Sequence, residues 1–165
     1  MPLIPYSIAV QTAGAGAMNR PTHIIIHSTA SKGGTARLID EDHRHHRGFA
    51  MIGYHWLIGN GRQGWGGGEY DPALDGLVEQ GRTEEMIGAH CVGYNGRSVG
   101  VALVGEGPKF TDRQWLALYE LVRDVRRRYG IARERVLGHD ETPDCAPEKV
   151  CPNFDMAAFR ASLPE

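Results

Sequence analysis

The run Ser98-Val99-Gly100-Val101-Ala102-Leu103-Val104 is almost wholly apolar at both parities. Side chains alternate between the two faces of a strand, so a strand with one wet face shows a polar–apolar alternation. This run lacks it and reads as a strand buried on both faces. A second short β-branched run, His23-Ile24-Ile25-Ile26-His27, lies between Pro21 and Ser28. Its length and composition predict a central strand, with His23, Ile25 and His27 on one face. Such strands need covering layers, so the fold class expected is α/β: a single domain with a central mixed β-sheet flanked by helices.

Other segments fit that frame. Tyr54-His55-Trp56-Leu57-Ile58 and Arg135-Val136-Leu137 read as strands, and Leu77-Val78-Glu79 as a weaker one. Thr111-Asp112-Arg113-Gln114 has the form of a capping box. After it Trp115, Leu118, Tyr119, Val122, Val125 and Tyr129 recur at helical spacing, and Gly130 ends the run. An earlier helix is predicted from Thr35 to His46, and a short one after Pro152 through Phe159. The glycine-rich stretch from Gly59 to Leu74 reads as flexible by composition. The chain of 165 residues suits one compact domain. We expect that domain over residues 21–165, with residues 1–20 as an irregular N-terminal extension.

The formal net charge is −2, which gives no electrostatic pull toward nucleic acid. No apolar run approaches the ~20 residues of an integral membrane segment. The N-terminus lacks the basic region of a signal peptide, and Pro5 and Gln11 interrupt its apolar stretch. A cytoplasmic origin and a monomer are the expectations. The three cysteines are an odd number in a chain large enough for a full core, which does not suit a disulfide framework.

Of eight histidines, most have structural explanations. His43, His45 and His46 sit at a predicted helix end and read as a solvated, dipole-favoured cluster. His55 alternates with Tyr54, so the two face opposite ways. His139 opens a long polar loop, Gly138-His139 to Cys151-Pro152, that also holds Cys145, Lys149 and several carboxylates. Loops of this kind carry sites. Any subset of these groups could bind a metal, and no CxxC or HExxH spacing selects among them.

Several segments together resemble the type 2 N-acetylmuramoyl-L-alanine amidases, the family of amidase-type phage lysozymes, whose fold is shared with peptidoglycan recognition proteins. They are Ile25-Ile26-His27-Ser28-Thr29-Ala30, Gly53 to Ile58, Asp75 to Arg82, His90 to Asn95, Ser98 to Gly105, Gly138-His139, and Lys149 to Asp155. They stand in the family's order and span about Pro21 to Phe159.

The resemblance implies one Zn2+ per chain, with His27, His139 and Cys151 as ligands. Three such ligands leave one tetrahedral position open, as in catalytic zinc sites. It further implies Tyr54 and Lys149 as catalytic residues, and His90 and Asn95 as substrate contacts. The implied partner is bacterial peptidoglycan, and the reaction is hydrolysis of the amide between N-acetylmuramic acid and L-alanine. Cys151 where wall-recycling relatives carry Asp, and Ala102 where they carry an acidic residue, point to the lytic, phage-like branch. An enzyme of that branch would reach the wall after release from the cytoplasm, through a holin if phage-encoded. Two other readings compete. One is a non-catalytic peptidoglycan-binding module of the same fold, which would have lost the ligands. The other is a cysteine hydrolase, which would need a histidine close in space to its thiol.

Overall fold

The computed structural model describes residues 17–143 and 145–165. Of the expected extension, residues 1–16 lie outside the described residues. Asn19, near its end, is buried, and its amide donates to the Glu84 and Ser98 carbonyls at 2.8 Å each.

The strands are β1 (His23–Ser28), β2 (Trp56–Gly64), β3 (Gly67–Gln80), β4 (Ser98–Leu103) and β5 (Val136–Gly138). They form one mixed sheet in the order β3-β2-β4-β1-β5. β1 pairs in parallel with β4 and β5, β2 pairs in parallel with β4, and only β2 and β3 run antiparallel. The helices are α1 (Ala36–Arg47), α2 (Asp112–Tyr129) and α3 (Met156–Ser162). No helix among the described residues is long and apolar enough to cross a membrane.

The two-faced burial of the central strands divides the core. Ile24 and Ile26 of β1 join Val99, Val101 and Leu103 of β4 under Leu118, Val122 and Val125 of α2 and Phe159 of α3. On the other face Leu57 and Ala102 pack with Ala36 and Ile39 of α1. His27 belongs to that second face, because it is opposite in parity to Ile26 and is paired with Ala102.

Helix limits follow their caps. Thr35 accepts from the Leu38 amide, and Gly48 adopts φ 68° at the other end of α1. Thr111 and Gln114 form the expected capping box. Gln114 has a second task. It is buried, and its Nε2 donates to the Ile58 and Val104 carbonyls at 3.1 and 2.8 Å. The box therefore also docks α2 against Ile58 of β2 and Val104 just after β4.

Two expectations need correction. The stretch from Gly59 to Leu74 is an ordered antiparallel hairpin of β2 and β3, paired from Trp56↔Gln80 to Gly64↔Gly67 with register shifts between. Glycine there serves turn and bulge geometry: Gly61, Gly67 and Gly68 take φ of 81°, 101° and 78°, which L side chains rarely adopt. Second, His43 is not solvated. It follows Ile39 by one helical turn on the inward face of α1 and is 5% exposed, while His45 and His46 face solvent.

Replacing Gln114 by Leu keeps the volume but removes the donor to the Ile58 and Val104 carbonyls and the acceptor of the Thr111 amide. We expect a loss of about 1–3 kcal/mol of unfolding free energy, measured by urea denaturation followed by tryptophan fluorescence. A change under about 0.5 kcal/mol, typical of surface substitutions, would contradict the docking role.

Candidate metal centre

β1 and β5 are parallel neighbours with Ile26 in register with Gly138. The residues that follow, His27 and His139, therefore emerge side by side at one end of the sheet, with ring centroids 4.6 Å apart. The loop after His139 returns Cys151 to the same place. The Asp140 amide donates to the Cys151 carbonyl at 2.8 Å, and the Cys151 amide to Asp140 Oδ2 at 3.3 Å. The Ser28 amide, at the end of β1, donates to Cys151 Sγ at 3.4 Å. One ligand atom from each of His27, His139 and Cys151 lies within 4.8 Å of the other two, the one such cluster among the described residues.

The donors suit a metal. His27 and Cys151 are 2% and 4% exposed. His139 Nδ1 is buried and has no hydrogen-bond partner, a state that costs about 1–3 kcal/mol unless a ligand satisfies it. Burial, followed by the neighbouring imidazoles and Lys149, holds His27 well below the usual histidine range; burial and then Lys149 lower His139 as well. Both rings are thus neutral at neutral pH and keep a lone pair. Burial raises the Cys151 thiol, with partial offset from Ser28 and Lys149. Two imidazoles and a thiolate are a donor set that zinc accepts.

Tyr54 precedes β2 and lies against the cluster, its ring centroid 5.1 Å from His27. Burial and then the Cys151 charge push its phenol up to about 12, so it remains a proton donor at neutral pH. Its approach is held by α1. His43 Nδ1 accepts from the Gly53 amide at 2.9 Å, Asp40 Oδ1 accepts from the Ile52 amide at 2.7 Å, and the His43 and Tyr54 rings are 5.5 Å apart. Burial, then Arg47, lowers His43 to about 4, leaving its Nδ1 free to accept. The signal for His43 was its i+4 spacing from Ile39, hidden by the charged residues beside it.

Lys149 is exposed, and its charge acts on His27, His139 and Cys151 alike. His90 is brought to the cluster as well, with Nδ1 3.0 Å from His27 Nε2 and Nε2 3.3 Å from Ser98 Oγ. Asn95 acts through the backbone: its Oδ1 accepts from the His90 and Cys91 amides at 2.8 and 2.9 Å. Cys91 Sγ lies 3.5 Å from Thr142 Oγ1. His55, on the opposite side of its segment from Tyr54, is saturated by the backbone: Nδ1 accepts from Gly100 and Nε2 donates to Met86.

Two histidines and a returning cysteine at the end of parallel strands, with a phenol beside them, have the donor layout that hydrolases use to hold a metal. Residues 17–154 match the family model for N-acetylmuramoyl-L-alanine amidase. The chain belongs to the N-acetylmuramoyl-L-alanine amidase family and is an enzyme of that class. It is 31% identical to the endolysin of Escherichia phage T7 over 142 residues, covering 81% of each chain. It is also 31% identical to the endolysin of Klebsiella phage KP32 over 144 residues, covering 82% of each. Among solved structures, the amidase LysC of Clostridium intestinale superposes with a TM-score of 0.70 at 28% identity, over 92% of this chain and 93% of that one. A Drosophila peptidoglycan recognition protein LB variant, solved in complex with tracheal cytotoxin, gives a TM-score of 0.66 at 25% identity, over 88% and 83%.

A divalent cation taken up by the triad displaces the proton of Cys151, whereas His27 and His139 are already neutral. Below the raised thiol pKa and above the lowered histidine range, the dissociation constant should rise about tenfold per unit fall in pH. Competition titrations between pH 6.5 and 8 measure that slope. A flat profile would show that no proton leaves Cys151 on binding and would exclude its thiolate as a ligand.

Proposed function

We propose that this protein hydrolyses the amide bond between N-acetylmuramic acid and L-alanine in bacterial peptidoglycan, with one zinc ion held by His27, His139 and Cys151. The observation that carries the reading is the convergence of these donors within 4.8 Å at the end of paired parallel strands. The endolysin relatives support a lytic role, for a monomer made in the cytoplasm that meets the wall after release. In a phage setting that release would be through a holin.

Zinc in such a site supplies Lewis acidity to the scissile carbonyl and makes water a nucleophile near neutral pH. The remaining roles fall to the chain. Tyr54 holds its phenolic proton, pushed up to about 12 mainly by burial, and donates to the oxygen on which negative charge grows. Lys149 places a cation at the rim of the same space. Its positive charge favours the uncharged imidazoles of His27 and His139 and the thiolate of Cys151. His43 and Asp40 keep Tyr54 in place through the backbone of Ile52 and Gly53. The loop carrying His90 and Asn95 stands beside His27, with His90 bonded to its ring and Asn95 holding the His90 backbone.

Digestion of purified peptidoglycan, followed by mass spectrometry for new L-alanine amino termini, tests the reaction. We expect activity to vanish on chelation and return with zinc, and His139→Ala and Cys151→Ser to abolish it. Tyr54→Phe and Lys149→Met should each lower kcat by on the order of a hundredfold or more. Full activity in verified zinc-free protein would refute the zinc mechanism.

A further inference from the structure

We propose that His90 is a positioning residue: a neutral imidazole that holds the His27 ring in the tautomer whose Nδ1 is open to the metal. The direction of each hydrogen bond can be worked out from one end. The Tyr94 carbonyl can only accept, and Ser98 Oγ lies 2.8 Å from it, so the single hydroxyl proton of Ser98 is committed there. Ser98 Oγ, 3.3 Å from His90 Nε2, must then accept. His90 consequently carries its proton on Nε2, and its Nδ1 has a lone pair. That lone pair faces His27 Nε2 at 3.0 Å, so His27 donates from Nε2. A neutral imidazole holds one proton, and Nδ1 of His27 is left as the lone-pair nitrogen.

The surroundings are built to keep His90 in this pose. A Cβ placed on Gly88 or on Gly100 would come within 2.5 and 2.6 Å of His90 Cδ2, so the ring occupies space that only glycine leaves. The His55 ring meets it edge-on at 5.6 Å. His55 cannot compete for the same protons, because its own nitrogens are committed to the Gly100 amide and the Met86 carbonyl at 2.9 and 2.8 Å. Asn95 fixes the backbone at His90 from below. Metal-bound histidines commonly donate their other nitrogen to a carboxylate or a carbonyl. Here the acceptor is a second imidazole. It orients the ligand without adding negative charge to the site. Both nitrogens of His90 are engaged inside the protein, so its hydrogen bonds act on the site through His27.

The affinity arm of the test rests on the zinc reading above; the tautomer arm does not. Two-bond 15N–1H correlation spectra of the full-length protein, with and without zinc, report which nitrogen carries each proton. The expected pattern is a proton on Nε2 of both His27 and His90. Zinc affinity is read separately by competition with a chromophoric chelator. His90→Leu should weaken it by on the order of 10- to 100-fold. His90→Asn, whose amide oxygen can stand near the place of Nδ1, should recover part of the loss, and Ser98→Ala should cost less than His90→Leu. A proton on Nδ1 of His27 or His90 overturns the relay. So does unchanged zinc affinity in a His90→Leu protein with native circular dichroism. Should that variant fail to fold, the wild-type spectra and Ser98→Ala decide. If the wild-type protein takes up no zinc, the zinc reading fails, and the tautomers alone decide the relay.

Discussion

Strand β1 has no solvent-facing side, and the site depends on that. Ile24, Ile25 and Ile26 are fully buried, held between β4 and β5 by parallel pairing on both edges. A register slip of one residue would exchange the two faces, sending the isoleucines of one core into the other and turning His27 toward α2. Mismatched packing, and the cost of burying the His27 ring without partners in the apolar core under α2, oppose that exchange and lock His27 where it is. Parallel pairing then brings the end of β5 to the same edge, so the same constraint delivers His139. The ligand geometry is thus inherited from core packing, with Cys151 added by a loop bonded back to Asp140 and Ser28.

Burial at this edge sets the protonation states. The imidazoles around the triad are desolvated and stay neutral, the phenol of Tyr54 stays protonated, and the exposed Lys149 adds a positive charge that acts on all three ligand groups. A site assembled from neutral donors with one thiol suits a divalent ion, because the ion's charge is only partly offset. The cost of burying so many polar rings is met by directed hydrogen bonds: His43 to Gly53, His55 to Gly100 and Met86, His90 to His27 and Ser98. Among the described residues, His139 Nδ1, on the cluster itself, is the one fully buried ring nitrogen without a partner.

Much of the fold was legible because local signals and burial agreed. The capping box at Thr111, the stop at Gly130 and the two-faced apolar run at Ser98 each report a local rule that tertiary structure obeyed. The hairpin from Gly59 to Leu74 was misread because glycine marks flexibility in isolation but supplies positive φ when two strands pair. His43 was misread because its neighbours Asp42 and Arg44 face solvent, while the ring itself turns inward. The motifs at His27, His139 and Cys151 could be named from resemblance; that their donors converge is a matter of strand register.

By itself, the sequence determined a two-faced central sheet, the helices that cover it, and the residue types able to hold a metal. Those are consequences of periodicity and of donor chemistry, which are local. Tertiary structure alone decided which nitrogen of His27 faces the cluster, that His90 is spent inside the protein, and that Gln114 docks a helix as well as capping it. Such assignments depend on which groups far apart in the chain become neighbours, and a hydrogen bond has a direction only once its partner is known.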